Sequence, residues 1–204
     1  MAEVPRDQRL ARWLVRPLAG TPVRPNHITT VSLVLALAAG GLYGRGEAGA
    51  ANWAAGLFVL ARFLDHADGE LGRLTGKTSR FGYYYDFVVG AISTAALFVG
   101  IGVGLRGGVL GEWSLVAGIA AAICAVLAMG LGLGVEARQG PSAGGYYPAF
   151  GGFELEDGIY LLAPLTWLGA LLPFFVLAVI GQALFCFWML RKFVRARATD
   201  GFPP

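Results

Sequence analysis

Long apolar runs separated by short polar breaks dominate the chain. Their lengths match membrane-spanning helices of about 20 residues better than the helices of a water-solvated core. The first run covers Ile28 to Tyr43 and stops at the polar turn Gly44-Arg45-Gly46-Glu47. A second extends from Ala51 to Leu74, a third from Tyr83 to Val103 and a fourth from Trp113 to Val135. Ile159 to Leu190 is too long for one span, and Pro173, close to Gly169, is where it is expected to divide into two helices. The pattern therefore predicts an all-α integral membrane protein with six transmembrane helices.

Ahead of the spans, residues 6–18 place Arg9, Arg12 and Arg16 on one side of a helix and Leu10, Trp13 and Leu14 on another. Such an amphipathic helix lies in the membrane interface with its arginines near lipid phosphates. Pro17, Pro22 and Pro25 then interrupt the chain, and Asn26 is the expected N-cap of a helix starting at His27, with Thr29 near its first turn. The expected organisation is an N-terminal interfacial segment at 1–26, a six-helix membrane domain at 27–192 and a tail at 193–204. The polar connection at 136–157, rich in Gly and Tyr, is long for a tight bundle and is expected to cover a site. No internal repeat is visible.

Composition strengthens the membrane reading. Hydrophobic residues make up 56% and charged residues 14%, with a mean hydropathy of +0.61. That is about half the charge of an ordinary soluble domain. The 31 glycines suit helices whose backbones approach closely, and small-residue faces of this kind also favour a homodimer. A net charge of +3 does not point to nucleic acid, because the basic residues gather at the ends of the apolar runs. Placing the N-terminus, the 73–82 and 136–157 connections and the C-terminus on one face collects 13 of the 16 Lys and Arg residues there. The positive-inside rule puts that face, with both termini, in the cytoplasm, which for a bacterial chain means at the inner membrane. Residues 1–26 lack an apolar run of signal-peptide length, so the first run is expected to remain as an anchor. Cys124 and Cys186 have no metal-ligand spacing and read as packing residues.

The chemistry concentrates at residues 65–90, where Asp65, Asp68 and Asp86 interrupt apolar sequence. A charged side chain at membrane depth costs roughly 2.5–3.5 kcal/mol on insertion scales, so these acids require partners, water or metal. On one helix Asp65, Asp68, Gly69, Gly72 and Arg73 fall within an arc of about 140°. On the next, Gly82, Asp86 and Gly90 form one stripe. Oxygen donors without a His or Cys cluster favour Mg²⁺ or Mn²⁺ over zinc. An arginine beside carboxylate-held divalent ions at a membrane edge suits phosphoryl chemistry on a lipid-soluble substrate.

The spacing resembles the signature of the CDP-alcohol phosphotransferases, D-x2-D-G-x2-A-R-x8-G-x3-D-x3-D. Asp65, Asp68-Gly69, Gly72-Arg73, Gly82, Asp86 and Gly90 keep every interval, and Pro25-Asn26-His27-Ile28-Thr29 is similar to the pattern that precedes the family's first span. The resemblance implies that Asp65, Asp68 and Asp86 bind the divalent ions that hold the CDP pyrophosphate. It also implies that Gly69, Gly72, Arg73 and Gly82 shape the CDP site. Asn26, Lys77 and Arg80 are further candidates at the same edge, although the ordinary role of such bases is to set topology. The implied reaction moves a phosphate-linked group, often phosphatidyl from CDP-diacylglycerol, onto an alcohol hydroxyl with release of CMP.

Two positions depart from that signature. Gly72 stands for alanine, a small-for-small change. Gly90 stands for the last aspartate, which the family assigns to metal binding and to activation of the acceptor hydroxyl, so the expected base position carries no acid. A positioned general base contributes typically 10²–10⁴ in rate, so its loss slows the chemistry without necessarily ending it. His66 and Glu70 lie off the metal side of their helix, and Glu136, Glu154, Glu156 and Asp157 sit on the 136–157 connection as substitutes. Gly90 therefore opens an alternative: a relative that binds CDP-linked lipid or nucleotide without turnover, or a structural membrane subunit. A transporter would account for the buried acids but not for the intervals between them.

Overall fold

The structure, a computed structural model, describes residues 12–140, 149–150 and 153–199. Five long helices and one short one follow a short 3₁₀ turn at Arg16–Gly20: α1 (Pro25–Gly44), α2 (Ala48–Thr75), α3 (Arg80–Gly104), α4 (Trp113–Gln139), α5 (Leu162–Trp167) and α6 (Leu171–Thr199). Ala149–Phe150 and Phe153–Glu154 make a two-residue antiparallel ladder between α4 and α5, followed by a 3₁₀ stretch at Leu155–Leu161. Of the N-terminal amphipathic segment, residues 12–18 fall within the described part: 12–15 are helical, with Trp13 and Leu14 exposed and Val15 buried, and 16–18 enter the 3₁₀ turn.

Local chemistry sets the helix ends. Pro25 occupies the first position of α1, where its missing N–H costs nothing, and the Arg24 amide donates to His27 Nδ1 at 3.3 Å. Asn26, the expected cap, lies inside the first turn instead. Gly76, at φ 65°, closes α2 in the left-handed region that glycine enters without strain. Ser79 then caps α3, its Oγ accepting from the Gly82 amide at 2.9 Å.

Pro25–Gly44, Arg80–Gly107, Trp113–Gln139 and Leu171–Ala198 are long and apolar enough to cross a membrane. α2 has comparable length, 28 residues, but carries the acids and arginines of its C-terminal third. The expected fifth span is short: Gly158–Trp167 is a ten-residue apolar segment of which six residues are α-helical. The break falls at Leu168-Gly169-Ala170, with Gly169 at φ 75°, and Pro173 is absorbed into the first turn of α6. Only 6% of the apolar window of α6 is buried, so most of that face requires lipid as its solvent. The protein is an integral membrane protein.

α1 packs on α2 and α3, α3 on α4, and α4 on α6, while α5 lies against α2. The core is made of small and aromatic residues, among them Ala36, Tyr43, Ala54, Phe58, Ile101 and Phe175. α1 and α3 begin, and α2 and α4 end, at the same end of the bundle. α6 also ends there, since its Phe193 lies under the Arg138 guanidinium at the end of α4. At the opposite end the α1–α3 and α3–α4 crossings are held by glycines. A β-carbon on Gly40 would lie 2.7 Å from the Ala96 carbonyl oxygen, and one on Gly118 2.5 Å from that of Phe98. Gly100 and Gly104 press equally on the Gly40 and Tyr43 carbonyls.

Candidate metal and nucleotide site

Asp65 and Asp68 lie one turn apart on α2, and Asp86 lies near the start of α3. The turn between Gly76 and Ser79 reverses the chain, and α2 and α3 both pack on α1, so the three side chains converge. One carboxylate oxygen from each lies within 4.8 Å of the others. Asp68 is buried, Asp65 half-buried and Asp86 exposed, so the cluster opens on the Asp86 side.

This donor set fits a hard divalent cation. Metal–oxygen distances of about 2.1 Å put neighbouring octahedral ligands about 3 Å apart and opposite ones about 4 Å apart, so the three oxygens are close to a shared coordination sphere. Arg62 Nη1 donates to Asp65 Oδ2 at 2.8 Å, and both side chains are largely buried. The Thr29 hydroxyl, on α1, donates to Asp68 Oδ2. These two contacts fix carboxylate orientation in the way that outer-shell partners fix metal ligands.

Beside the acids, Arg73 lies over Gly69. Its Nη2 and Nη1 are 3.6 and 3.7 Å from where a Gly69 β-carbon would sit, so the missing side chain leaves backbone and guanidinium adjacent. Gly72 faces the Thr78 methyl and the Pro25 ring, at 3.5 and 3.6 Å from its β-carbon position. Gly82 faces Asn26, whose Oδ1 is 3.0 Å from the corresponding point, so these two candidates form one contact between α1 and α3. Lys77 Nζ donates to the Thr21 carbonyl at 3.4 Å, and Arg80 is exposed at the start of α3.

Gly90 is buried, and a β-carbon there would meet the Met129 ε-methyl at 3.3 Å. A sulfur-bearing apolar chain from α4 thus stands beside the position of the absent acid. Among the expected substitutes, Glu70 is buried away from the cluster and paired with arginines, and Glu136 accepts from the Tyr83 hydroxyl. The side chains of Glu154, Glu156 and Asp157 lie outside the described residues. His66 Nδ1 and the Tyr160 hydroxyl are 3.2 Å apart, which ties the segment before α5 to α2. Of the three neighbouring tyrosines, Tyr83 and Tyr84 are exposed; Tyr85 bonds Thr30 Oγ1 at 2.8 Å and Tyr83 bonds Glu136, so two of the three lock helices together.

Sequence reasoning assigns no site contact to Arg62, Glu70 or Thr29. Arg62 and Glu70 could have been found, since each stands three positions from its partner, Asp65 or Arg73, on one helix. Thr29 gives only the weaker signal of belonging to the Pro25–Thr29 run.

Residues 23–188 match the family model for CDP-alcohol phosphatidyltransferase. An archaetidylinositol phosphate synthase of Pyrococcus horikoshii is 32% identical over 90 residues, 44% of this chain and 46% of that protein, so the chain spans about half the length of the curated relative it matches. Among solved structures, the phosphatidylinositol phosphate synthase of Mycobacterium tuberculosis with CDP-DAG bound has a TM-score of 0.65 at 19% identity, covering 92% of this chain and 93% of that one. The same enzyme with manganese and citrate gives 0.66 at 19% identity, covering 92% and 88%. At that identity the likeness establishes a shared fold. With four fifths of its length inside the family model and the spaced acids brought together as that family's signature implies, the chain belongs to the CDP-alcohol phosphatidyltransferase family.

Proposed function

We propose that this protein is a membrane phosphotransferase of phospholipid synthesis. It moves a substituted phosphate, of the phosphatidyl class, from a CDP-linked lipid donor to an alcohol hydroxyl and releases CMP. The observation that carries this reading is the convergence of Asp65, Asp68 and Asp86 at one end of an apolar bundle, beside Arg73 and the side-chain-free surface of Gly69. The acceptor oxygen forms a bond to the lipid-bearing phosphorus, the pyrophosphate P–O bond breaks, and CMP leaves with the electron pair. A divalent ion, Mg²⁺ or Mn²⁺, would neutralise the pyrophosphate and stabilise the leaving group. Asp65, Asp68 and Asp86 would hold it, Asp68 oriented by Thr29 and Asp65 by Arg62.

Arg73 offers its guanidinium to phosphate oxygens at the Gly69 backbone, and Asn26 closes the wall at Gly82. The exposed side of Asp86 leaves room for the acceptor. Position 90 supplies no carboxylate for the hydroxyl proton, which passes to water on the exposed side of the cluster. The names of the similar synthases put an inositol phosphate first among acceptors to test. The excess of basic residues at the site end supports a cytoplasmic site with both termini on that face.

The test is CMP release by the purified protein in lipid nanodiscs, with CDP-diacylglycerol, a panel of alcohol acceptors and Mg²⁺ or Mn²⁺. Metal-dependent CMP formation is expected. Donor binding without CMP release for any acceptor would replace this reading with the non-catalytic one.

A further inference from the structure

Glu70 is a buried acid that the reaction above does not use. It sits on α2 between the metal-side Asp68 and Arg73, yet its carboxylate is not among those that converge in the cluster. Each oxygen has its own arginine: Arg73 Nε and Nη2 donate to Oε1 at 3.0 and 2.6 Å, and Arg12 Nε lies 3.4 Å from Oε2. Both arginines are more than half exposed while Glu70 is 5% exposed, so the acid is the fixed point and the two long side chains are held by it. A buried carboxylate is retained at a cost in desolvation unless it is paired.

The geometry of the Arg73 pair is directional. With Nε and one N–H of Nη2 committed to Glu70, Nη1 and the second N–H of Nη2 remain for another acceptor, and both nitrogens lie beside Gly69. A guanidinium held on one side by a carboxylate is pre-organised for an anion on the other. The second partner, Arg12, belongs to the N-terminal segment. That segment is seated by Val15, which is buried with Ile28, Ala67 and Leu71 on the same end of α1 and α2.

Resting on the donor chemistry proposed above, we infer that Glu70 is a positioning residue that aims Arg73 at the donor phosphate and, through Arg12, fastens the N-terminal segment beside the site. The full chain in nanodiscs tests both halves. With CDP-diacylglycerol and Mg²⁺, Glu70→Gln is expected to weaken donor binding and raise donor KM roughly tenfold while kcat stays within about twofold, and Glu70→Asp to recover part of the loss. Adding Glu70→Gln to Arg73→Gln should cost nothing further, because both act through one contact. Chymotryptic cleavage after Trp13 should be faster in Glu70→Gln and in Arg12→Gln than in the wild type.

Unchanged donor binding in Glu70→Gln, or a loss that adds fully to that of Arg73→Gln, overturns the aiming role. Unchanged cleavage overturns the fastening role. If Glu70→Gln does not fold, Glu70→Asp and Arg12→Gln, which leave the buried acid paired, carry the same readouts. A wild type that neither binds the donor nor releases CMP removes the proposed function and the aiming role with it, while the cleavage arm still decides the fastening.

Discussion

Glycines crowd both ends of the bundle, but they meet different things. At the end away from the site, Gly40, Gly100, Gly102, Gly104 and Gly118 touch backbone carbonyls of neighbouring helices, and a β-carbon there would collide with groups that cannot move alone. At the site end, Gly69, Gly72, Gly82 and Gly90 touch only side chains: Arg73, Thr78 with Pro25, Asn26 with Ser79, and Met129. In the first group glycine lets helices close. In the second it leaves functional side chains a place to lie. The molecule is thus a rigid clamp at one end and a lined site at the other, so the same residue type predicts loss of fold in one half and loss of chemistry in the other.

The sharpest break of this contrast is Asp68→Ala, which removes the buried member of the acid cluster. CMP release should fall by about 10³ or more while thermal unfolding in detergent changes little, because the Thr29 hydroxyl that loses its acceptor still donates to the Pro25 carbonyl. Gly100→Val works at the opposite end: it should lower stability by roughly 3 kcal/mol or abolish folded yield, because the Gly40 carbonyl has nowhere to go. A folded Gly100→Val protein with normal unfolding temperature would dissolve the distinction between the two halves.

Smaller effects sharpen it further. Gly90→Asp combined with Met129→Ala, which clears the ε-methyl, should raise turnover by roughly 10², the low end of what a general base contributes; a folded variant with no gain would separate the slow step from proton removal. Thr29→Val keeps shape but deletes the donor to Asp68, and Mn²⁺ affinity measured by calorimetry should weaken about 10- to 100-fold. Gly82→Ala should be mildest: Asn26 Oδ1 gives way by tenths of an ångström, and donor KM should rise about threefold with stability nearly unchanged.

The α2 acids are legible from sequence because helical periodicity alone places Asp65, Asp68 and Arg73 on one side. Asp86 joins them only through the tight turn at Gly76–Ser79, which spacing suggests and packing completes. Thr29 acquires a role only when α1 meets α2, so no local pattern marks it. The fifth helix shows the opposite failure: apolar length is readable, but the division into a six-residue helix and a 29-residue one depends on Gly169 adopting positive φ after the short helix has docked. Likewise, Pro25 rather than Asn26 begins α1, a preference that proline states by itself.

The short fifth helix also bears on the order in which the molecule forms. Its anchoring bonds, Tyr160 to His66, Trp167 Nε1 to the Asn52 carbonyl and Thr166 to Tyr43, bridge 94, 115 and 123 positions of sequence. α1, by contrast, packs on both α2 and α3, which contain every carboxylate of the cluster. Contacts between distant positions close late, because the intervening chain must first be made and gathered. Every carboxylate of the cluster thus belongs to chain made by residue 86, whereas the bonds that dock the fifth helix need the chain through Trp167.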